Sequence, residues 1–223
     1  MEYRHEWKHE ISFLDMLTLK KRLSAVAAHD SHGNNGTYEI RSLYFDTADD
    51  RALREKIDGV NIREKFRIRY YDGDSSFVCL EKKSKINGLS LKNSISITKD
   101  QAEKIVNGDW DFMLQSRIPL LEELCVKLKH QGLRPKTLVD YTREAFVFPP
   151  GRVRVTLDSR LRTALSSTDL FNLQAVTVPA KASPIILEVK WSEFLPDIIR
   201  DAVCLPGRRT CAFSKYAACR LYG

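Results

Sequence analysis

The chain lacks the features that mark several common protein classes. Its 223 residues include only ten glycines and eight prolines, and 43% hydrophobic with 29% charged residues is a composition typical of a globular protein. The N-terminus has no apolar core of a secretory signal, and no stretch approaches the ~18 apolar residues of a membrane-spanning helix. A Gly-rich Walker-type loop is also missing. We therefore expect a cytoplasmic protein, one domain over residues 1–223, that works without a P-loop.

Cysteine is sparse and irregularly placed. The five cysteines are odd in number and have no Cys-x-x-Cys spacing. This pattern fits neither a disulfide framework nor a familiar zinc site. We interpret all five as reduced packing residues: Cys79, Cys125, Cys204, Cys211 and Cys219.

Positive charge is in excess. The formal net charge is +7 and the sequence pI is about 9.1. Such a balance favours a polyanionic partner, which could be a phosphate chain, a nucleic acid or an acidic membrane surface. Charge alone does not choose among them.

The periodicity of apolar residues and the turn signals predict an α+β protein in which antiparallel strands are interrupted by helices. Thr98 and Gln101 have the spacing of a capping box that opens a helix. Strands are predicted over 3–11, 38–46, 61–71, 76–85, 89–97, 136–148, 152–163, 184–191 and, more weakly, 172–178. Helices are predicted over 13–28, 48–56, 99–107, 119–131, 193–203 and 213–222.

The most informative pattern is the position of basic residues inside these strands. They recur two residues apart, as in Arg67-Ile-Arg69, and so project from one face of a strand. A half-exposed sheet would produce the same pattern in any single strand. Its repetition over six or seven strands instead indicates a sheet closed around a cationic interior that binds a polyanion, and the residues concerned are Lys8, Arg67, Arg69, Lys83, Lys92, Arg143, Arg154 and Lys190.

Carboxylates share this face with the basic residues. Glu6, Glu81 and Glu188 lie two residues from a lysine in their strands. They could bind a hard divalent ion, Mn²⁺ or Mg²⁺, that bridges to phosphate oxygens, or they could simply neutralise a neighbouring cation. From the residues alone both readings stay open for the three glutamates.

Eight short motifs, in order along the chain, resemble the VTC domain, the catalytic domain of polyphosphate polymerases within the triphosphate tunnel metalloenzymes. They are Arg4-x-Glu6-x-Lys8, Arg41-Ser-Leu-Tyr-Phe-Asp46, Arg67-Ile-Arg69, Leu80-Glu-Lys-Lys83, Asp140-Tyr-Thr-Arg143, Arg154-Val-Thr-Leu-Asp158, Leu187-Glu-Val-Lys190 and Phe213-Ser-Lys215-Tyr. One departure separates the chain from the adenylate cyclase and thiamine triphosphatase branch, which has a glutamate where Arg4 stands here.

The resemblance implies an eight-stranded antiparallel β-barrel tunnel with helices packed outside. Residues that match the family's phosphate-binding basic side chains are Lys8, Arg67, Arg69, Lys83, Lys92, Arg143 and Arg154. Glu188 matches the metal-binding glutamate, so for Glu188 we favour the metal, and Lys215 matches a lysine that closes on the phosphates from a C-terminal helix. Together with the strand pattern, this assigns Arg67, Arg69, Arg143 and Arg154 to catalysis, Lys8, Lys83, Lys92, Lys190 and Lys215 to substrate binding, and Glu188 with Glu6 and Glu81 as candidate metal ligands. Arg41, Tyr44 and Asp46 match a motif that we interpret as structural.

The leading functional hypothesis is a polyphosphate polymerase that transfers the γ-phosphoryl group of ATP to a polyphosphate chain, with Mn²⁺ or Mg²⁺. With water as acceptor the same site would be a triphosphatase or tripolyphosphatase, and without turnover it would be a polyphosphate-binding module. ATP or another nucleoside triphosphate and inorganic polyphosphate are the expected partners. Nucleic acid is not expected, because the basic residues lie in strand interiors and no aromatic stacking motif accompanies them. A membrane-associated partner stays open.

Overall fold

The structure, a computed structural model, describes residues 4–87, 89–164, 167–180 and 183–221. Its strands are short at the edges and long in the centre of one sheet. They are β1 (His5–Ile11), β2 (Ala28–His29), β3 (Thr37–Asp46), β4 (Ile62–Tyr71), β5 (Asp74–Ile86), β6 (Leu89–Ile97), β7 (Arg134–Phe148), β8 (Val153–Thr163), β9 (Val178–Pro179) and β10 (Ile185–Trp191).

The helices fall between strands or follow the last of them. They are α1 (Phe13–Val26), α2 (Arg51–Ile57), α3 (Lys99–Asn107), α4 (Asp111–Gln115), α5 (Pro119–His130), α6 (Asp197–Val203) and α7 (Lys215–Leu221). Within the described part of the chain, none of them combines the length and the apolar character that crossing a bilayer requires.

The sheet is antiparallel throughout its described ladders, which confirms the α+β expectation. Eight strands follow the path β1-β10-β8-β7-β3-β4-β5-β6, while β2 pairs with β7 and β9 with β8. Strands β1 and β6 are the ends of this path, and they meet at one isolated bridge between Arg4 and Ser90. A barrel closed by continuous ladders is therefore not confirmed.

Alternation along the central strands separates a core face from a basic face. In β4, Phe66 and Ile68 are buried at 1% and 0% exposure and pack in the same cluster as Leu121 of α5. The basic residues at the odd positions, Arg67 and Arg69, must then project from the opposite face of the sheet. Helix α5 thus lies outside the sheet, and the arginines lie on its inner face.

Capping fixes where two helices begin. The Thr98 hydroxyl accepts a hydrogen bond from the Gln101 backbone N–H (3.1 Å), and Gln101 Oε1 accepts one from the Thr98 N–H (3.0 Å). This confirms the predicted capping box. Ser12 and Asp15 form a second box at the start of α1, which the sequence analysis did not identify.

Two residues of the β3 motif, Arg41 and Asp46, connect β3 to neighbouring elements. Arg41 donates two hydrogen bonds to Asp140 on the neighbouring strand, at 3.0 and 2.8 Å. The Asp46 carboxylate accepts from the Ala52 backbone N–H (2.8 Å) and from the Tyr216 hydroxyl (2.6 Å), so it ties α2 and α7 to the end of β3. These contacts agree with a structural role for Arg41 and Asp46.

Some sequence predictions are wrong. The weak strand over 172–178 is absent as such, because only Val178–Pro179 pairs with β8. Leu173 (60% exposed) and Val176 (83% exposed) are not buried in a core, so burial does not hold this segment in the sheet. The helix expected from residue 193 begins only at Asp197, after Pro196 at its N-cap.

One helix was missed, and one expectation needs correction. The missed helix is the short α4. Cys79, Cys125 and Cys219 are buried, as expected of packing residues, whereas Cys204 and Cys211 are exposed.

A cationic cavity as the candidate functional site

The inner face of the sheet encloses a cavity of about 440 Å³ that is dominated by positive charge. Among the described residues, the carboxylates that line it are Glu6 and Glu188. The basic lining consists of Arg4, Lys8, Lys65, Arg67, Arg69, Lys83, Lys92, Arg143, Arg154, Lys190 and Lys215. The cavity therefore brings together every basic residue that the sequence analysis assigned to catalysis or substrate binding.

A buried glutamate holds one group of these cations. Glu81 is 1% exposed; its Oε2 accepts from Arg67 Nε at 2.7 Å, and its Oε1 accepts from Lys92 Nζ at 2.6 Å. Arg69 Nε lies 3.7 Å from the same carboxylate. Burial alone would raise the pKa of Glu81, but Arg67, Arg69 and Lys92 together lower it below its ordinary value. Both oxygens of Glu81 are engaged by cations, and Glu81 does not line the cavity, so the geometry favours a neutralising role over a metal ligand.

Hydrogen bonds to hydroxyl groups also hold the guanidinium groups of Arg67 and Arg69 in place. Arg67 donates to the Tyr44 hydroxyl (2.7 Å), and Arg69 donates to Ser42 Oγ and the Tyr141 hydroxyl (both 3.3 Å). A guanidinium has five N–H donors, so these contacts leave others for an anionic ligand. The side chains are held in place before any ligand binds.

A second buried carboxylate organises the opposite wall. Asp158, 2% exposed, accepts from Arg143 Nε (2.6 Å) and Nη2 (2.8 Å), and from Lys215 Nζ (2.5 Å). Burial opposes ionisation, but Arg143 and Lys215 outweigh it and lower the pKa of Asp158 to about 2. Lys215 is the first residue of α7, so this contact brings the C-terminal helix to the cavity, as the resemblance implied.

Across the ladder between β1 and β10, each glutamate of the cavity is paired with a lysine on the neighbouring strand. Register pairs Glu6 with Lys190 and Lys8 with Glu188. Lys8 Nζ lies 2.9 Å from Glu6 Oε1 and 3.8 Å from Glu188 Oε2, and Lys190 forms an ion pair with Glu188. Lys83 reaches Glu6 Oε2 from across the cavity, at 3.3 Å. The two carboxylates are thus embedded among lysines.

Glu6 and Glu188 nevertheless fit a divalent ion. Both carboxylates line the cavity. Burial and the charge of Glu188 raise the pKa of Glu6, but Lys8, Lys83 and Lys190 outweigh them and lower it. Burial also opposes ionisation of Glu188, but Lys190 and Lys8 lower its pKa well below the ordinary value. The described residues contain no group of three or more His, Cys, Asp or Glu side chains arranged for a metal. Mg²⁺ usually takes one or two carboxylates and completes its shell with water and phosphate oxygens, so two carboxylates suffice where the substrate supplies the rest.

Lys65 and Tyr141 belong to the site, although the sequence analysis did not assign them to it. Lys65 lies two residues before Arg67, so its parity in β4 was the available signal. Burial, followed by the charges of Lys83 and Arg67, places the pKa of Lys65 well below its ordinary value. Burial would raise the pKa of Tyr141, but Arg143 and other nearby cations lower it to about 8.

Arg154 and Lys92 lie nearer to solvent than the other cations. The Arg154 side chain is 34% exposed; its Nη2 donates to the Tyr38 hydroxyl at 2.8 Å, and it pairs with Asp30. The Lys92 side chain is 53% exposed. These residues form the rim of the cavity, and the β4 arginines form its interior.

Comparison with known proteins gives a family match. The family described as the VTC domain matches residues 3–222. No protein with a curated function matches the chain in sequence.

Solved structures with similar folds include a Pyrococcus horikoshii protein (14% identity, 90% of this chain and 84% of that one, TM-score 0.47). Two others are candidate adenylate cyclases. The one from Vibrio parahaemolyticus has 11% identity, covers 90% and 82% of the two chains and has a TM-score of 0.48. The one from Bacillus halodurans has 15% identity, covers 86% and 82%, and has a TM-score of 0.47.

Proposed function

The chain belongs to the VTC domain family, and from this premise we propose that it is a polyphosphate polymerase domain. ATP and inorganic polyphosphate bind in the cationic cavity, and the γ-phosphoryl group of ATP is transferred to the end of the chain with the help of Mn²⁺ or Mg²⁺. Since ATP is a cytoplasmic metabolite, the proposal includes a cytoplasmic location. It also includes closure of the sheet into a tunnel where β1 meets β6.

The observation that carries the proposal is the fixed arrangement of guanidinium groups. Arg67 and Arg69 are held by Glu81, and Arg143 by Asp158, all within the buried wall of one cavity. Donors that are fixed beforehand need little reorganisation when negative charge develops on the transferring phosphoryl group. Phosphoryl transfer depends mainly on such positioning and charge stabilisation.

Each class of residue has a role in this scheme. Guanidinium groups bind phosphate oxygens in forked, charge-assisted hydrogen bonds, and ammonium groups act as point charges along the chain. The catalytic residues are Arg67, Arg69, Arg143 and Arg154, and the substrate-binding residues are Lys8, Lys83, Lys92, Lys190 and Lys215.

Glu188 and Glu6 would hold the divalent ion. The ion would bridge phosphate oxygens and neutralise part of their charge. Glu81 is not part of this proposal as a ligand, because it is buried behind the arginines and does not line the cavity, whereas Glu6 and Glu188 do.

The proposed acceptor is a terminal phosphate oxygen of the growing chain. The bond between the γ-phosphorus and its bridging oxygen breaks, this terminal oxygen forms the new bond, and ADP leaves. The attacking oxygen is already anionic, so it needs little help from a general base. With water as the acceptor the same site would be a triphosphatase, and the products distinguish the two reactions.

The test is incubation of purified protein with ATP and Mn²⁺, followed by a gel for polyphosphate and an assay for free phosphate. Chains together with ADP would support the polymerase. Free phosphate without chains would favour the triphosphatase, and tight polyphosphate binding without either product would favour the binding module. Protein that binds no polyphosphate would contradict the cavity assignment.

A matched pair of variants links the products to the cavity. Arg154→Ala removes a guanidinium from the rim and is expected to abolish most chain synthesis. Arg200→Ala removes one from the exposed surface of α6, where its side chain is 55% exposed. It is expected to retain wild-type synthesis.

A further inference from the structure

A second cavity of about 490 Å³ adjoins the cationic one. Tyr38, Tyr71 and Arg154 line both, so the two spaces share a wall. Arg154 stands between them, with its guanidinium bonded to the Tyr38 hydroxyl. A ligand that fills both cavities would pass this guanidinium.

The second cavity is aromatic. The Tyr71 and Phe77 rings are stacked with centroids 6.4 Å apart and an interplanar angle of 26°, and the Tyr38 ring meets Tyr71 edge-on at 5.8 Å. Phe77 is 53% exposed, so about half of this apolar side chain is open to solvent. An exposed aromatic ring can bind a flat ligand such as a nucleobase, because every nucleobase has a π-face that stacks on aromatic side chains.

The second cavity adds acidic residues to the Arg154 that it shares with the first, and its lining also includes His32. The acidic residues are Asp72 and Asp74, from the turn between β4 and β5. The Glu39 N–H donates to Asp72 Oδ1 (2.7 Å), and both the N–H and the hydroxyl of Ser76 donate to Asp74 (2.8 Å each), so the carboxylates are oriented. Phosphate would be repelled here, whereas a group with N–H donors would be accepted.

We propose that this second cavity binds the purine base of the nucleoside triphosphate whose phosphates occupy the cationic cavity. The base stacks on Phe77, which Tyr71 backs, and directs its amino group toward Asp72 or Asp74, as adenine can through N6. Arg154 then lies beside the phosphate nearest the ribose. This assignment depends on the proposed function and fixes which end of the cavity the nucleotide enters.

The test compares two ligands that differ in having a nucleoside. Calorimetry gives the dissociation constants of ATP and of inorganic tripolyphosphate at one Mg²⁺ concentration. The proteins are wild type, Phe77→Ala, Phe77→Tyr and the control Phe13→Ala, which removes an exposed phenyl ring from α1 (60% exposed).

Phe77→Ala is expected to weaken ATP binding roughly tenfold, the scale of one lost base–aromatic stack, and to leave tripolyphosphate binding unchanged. Phe77→Tyr and Phe13→Ala are expected to bind both ligands as wild type does. Equal affinity of wild type and Phe77→Ala for ATP, with tripolyphosphate bound normally, would overturn the base pocket and leave the proposed function intact. Wild-type protein that binds neither ligand would overturn both.

Discussion

Glu81→Gln is the perturbation that most sharply separates a neutralising carboxylate from a metal ligand. The substitution keeps the size of the side chain and removes its charge. Arg67, Arg69 and Lys92 would then share a buried amide in place of a carboxylate that lies 2.6–3.7 Å from them. If the carboxylate neutralises these cations, removal of its charge should lower the free energy of unfolding even in the ligand-free protein.

The magnitude follows from the burial of these partners. Removing one member of a buried ion pair costs about 3–5 kcal/mol, because the remaining charges stay desolvated. Since the glutamine oxygen can still accept one of the hydrogen bonds, we expect the lower limit, about 3 kcal/mol. For a chain of this length each 1 kcal/mol lowers the Tm by about 2–4 °C, which gives a decrease of roughly 6–12 °C.

Thermal unfolding followed by circular dichroism measures this decrease, with Glu103→Gln as the control. Glu103 pairs with Lys99 on the surface of α3 at 3.7 Å, with both side chains about half exposed, and such a pair contributes little. Saturating tripolyphosphate should reduce the difference in Tm between Glu81→Gln and wild type, since the negative charge of the ligand replaces that of the carboxylate. A Glu81→Gln protein with the Tm of the control and an altered metal requirement would refute the neutralising role.

Three further predictions concern ligand and metal. Arg67→Ala should lower the rate of chain synthesis by about 10²-fold or more, the scale of one lost fixed donor, while Arg200→Ala retains it; similar rates in a kinetic assay would count against the mechanism. Burial and neighbouring lysines lower the pKa of Lys83 to about 8. A bound polyanion stabilises the charged amine and raises this pKa, so calorimetry in buffers of different ionisation enthalpy should show proton uptake near pH 8, reduced in Lys83→Met, and affinity should fall as the pH rises above about 8. Glu188→Gln should increase the Mn²⁺ concentration that gives half-maximal activity, and an unchanged requirement would show that this carboxylate does not bind the ion.

The strand positions of the basic residues were predictable because parity along a strand is a local property. Arg67 and Arg69 had to share a face once β4 was recognised, and the turn signals gave its limits closely. Lys65 carries the same signal and was overlooked. The family resemblance then supplied the roles that parity cannot provide.

Contacts between residues on different strands were not predictable from the local sequence pattern. Asp158 faces Arg143 because β7 and β8 pair in one register, and Lys215 joins them from 57 residues away. From the sequence, Asp158 stood out only as the last residue of the motif Arg154-Val-Thr-Leu-Asp158. Likewise, the charge partners of Glu81 became visible only with the ladders from β4 to β6 in place.

The aromatic cavity had no sequence signal of its own. Tyr38, Tyr71 and Phe77 come from three strands and read separately as ordinary strand residues. Their assembly depends on the turn between β4 and β5 and on the pairing of β3 with β4.

The most direct test of phosphoryl transfer uses ATP labelled at either the γ- or the α-phosphate, with a short polyphosphate primer and Mn²⁺. The account predicts γ-label in chains longer than the primer and α-label only in ADP and unreacted ATP. Appearance of the γ-label solely as inorganic phosphate, with the primer unchanged in length, would contradict it.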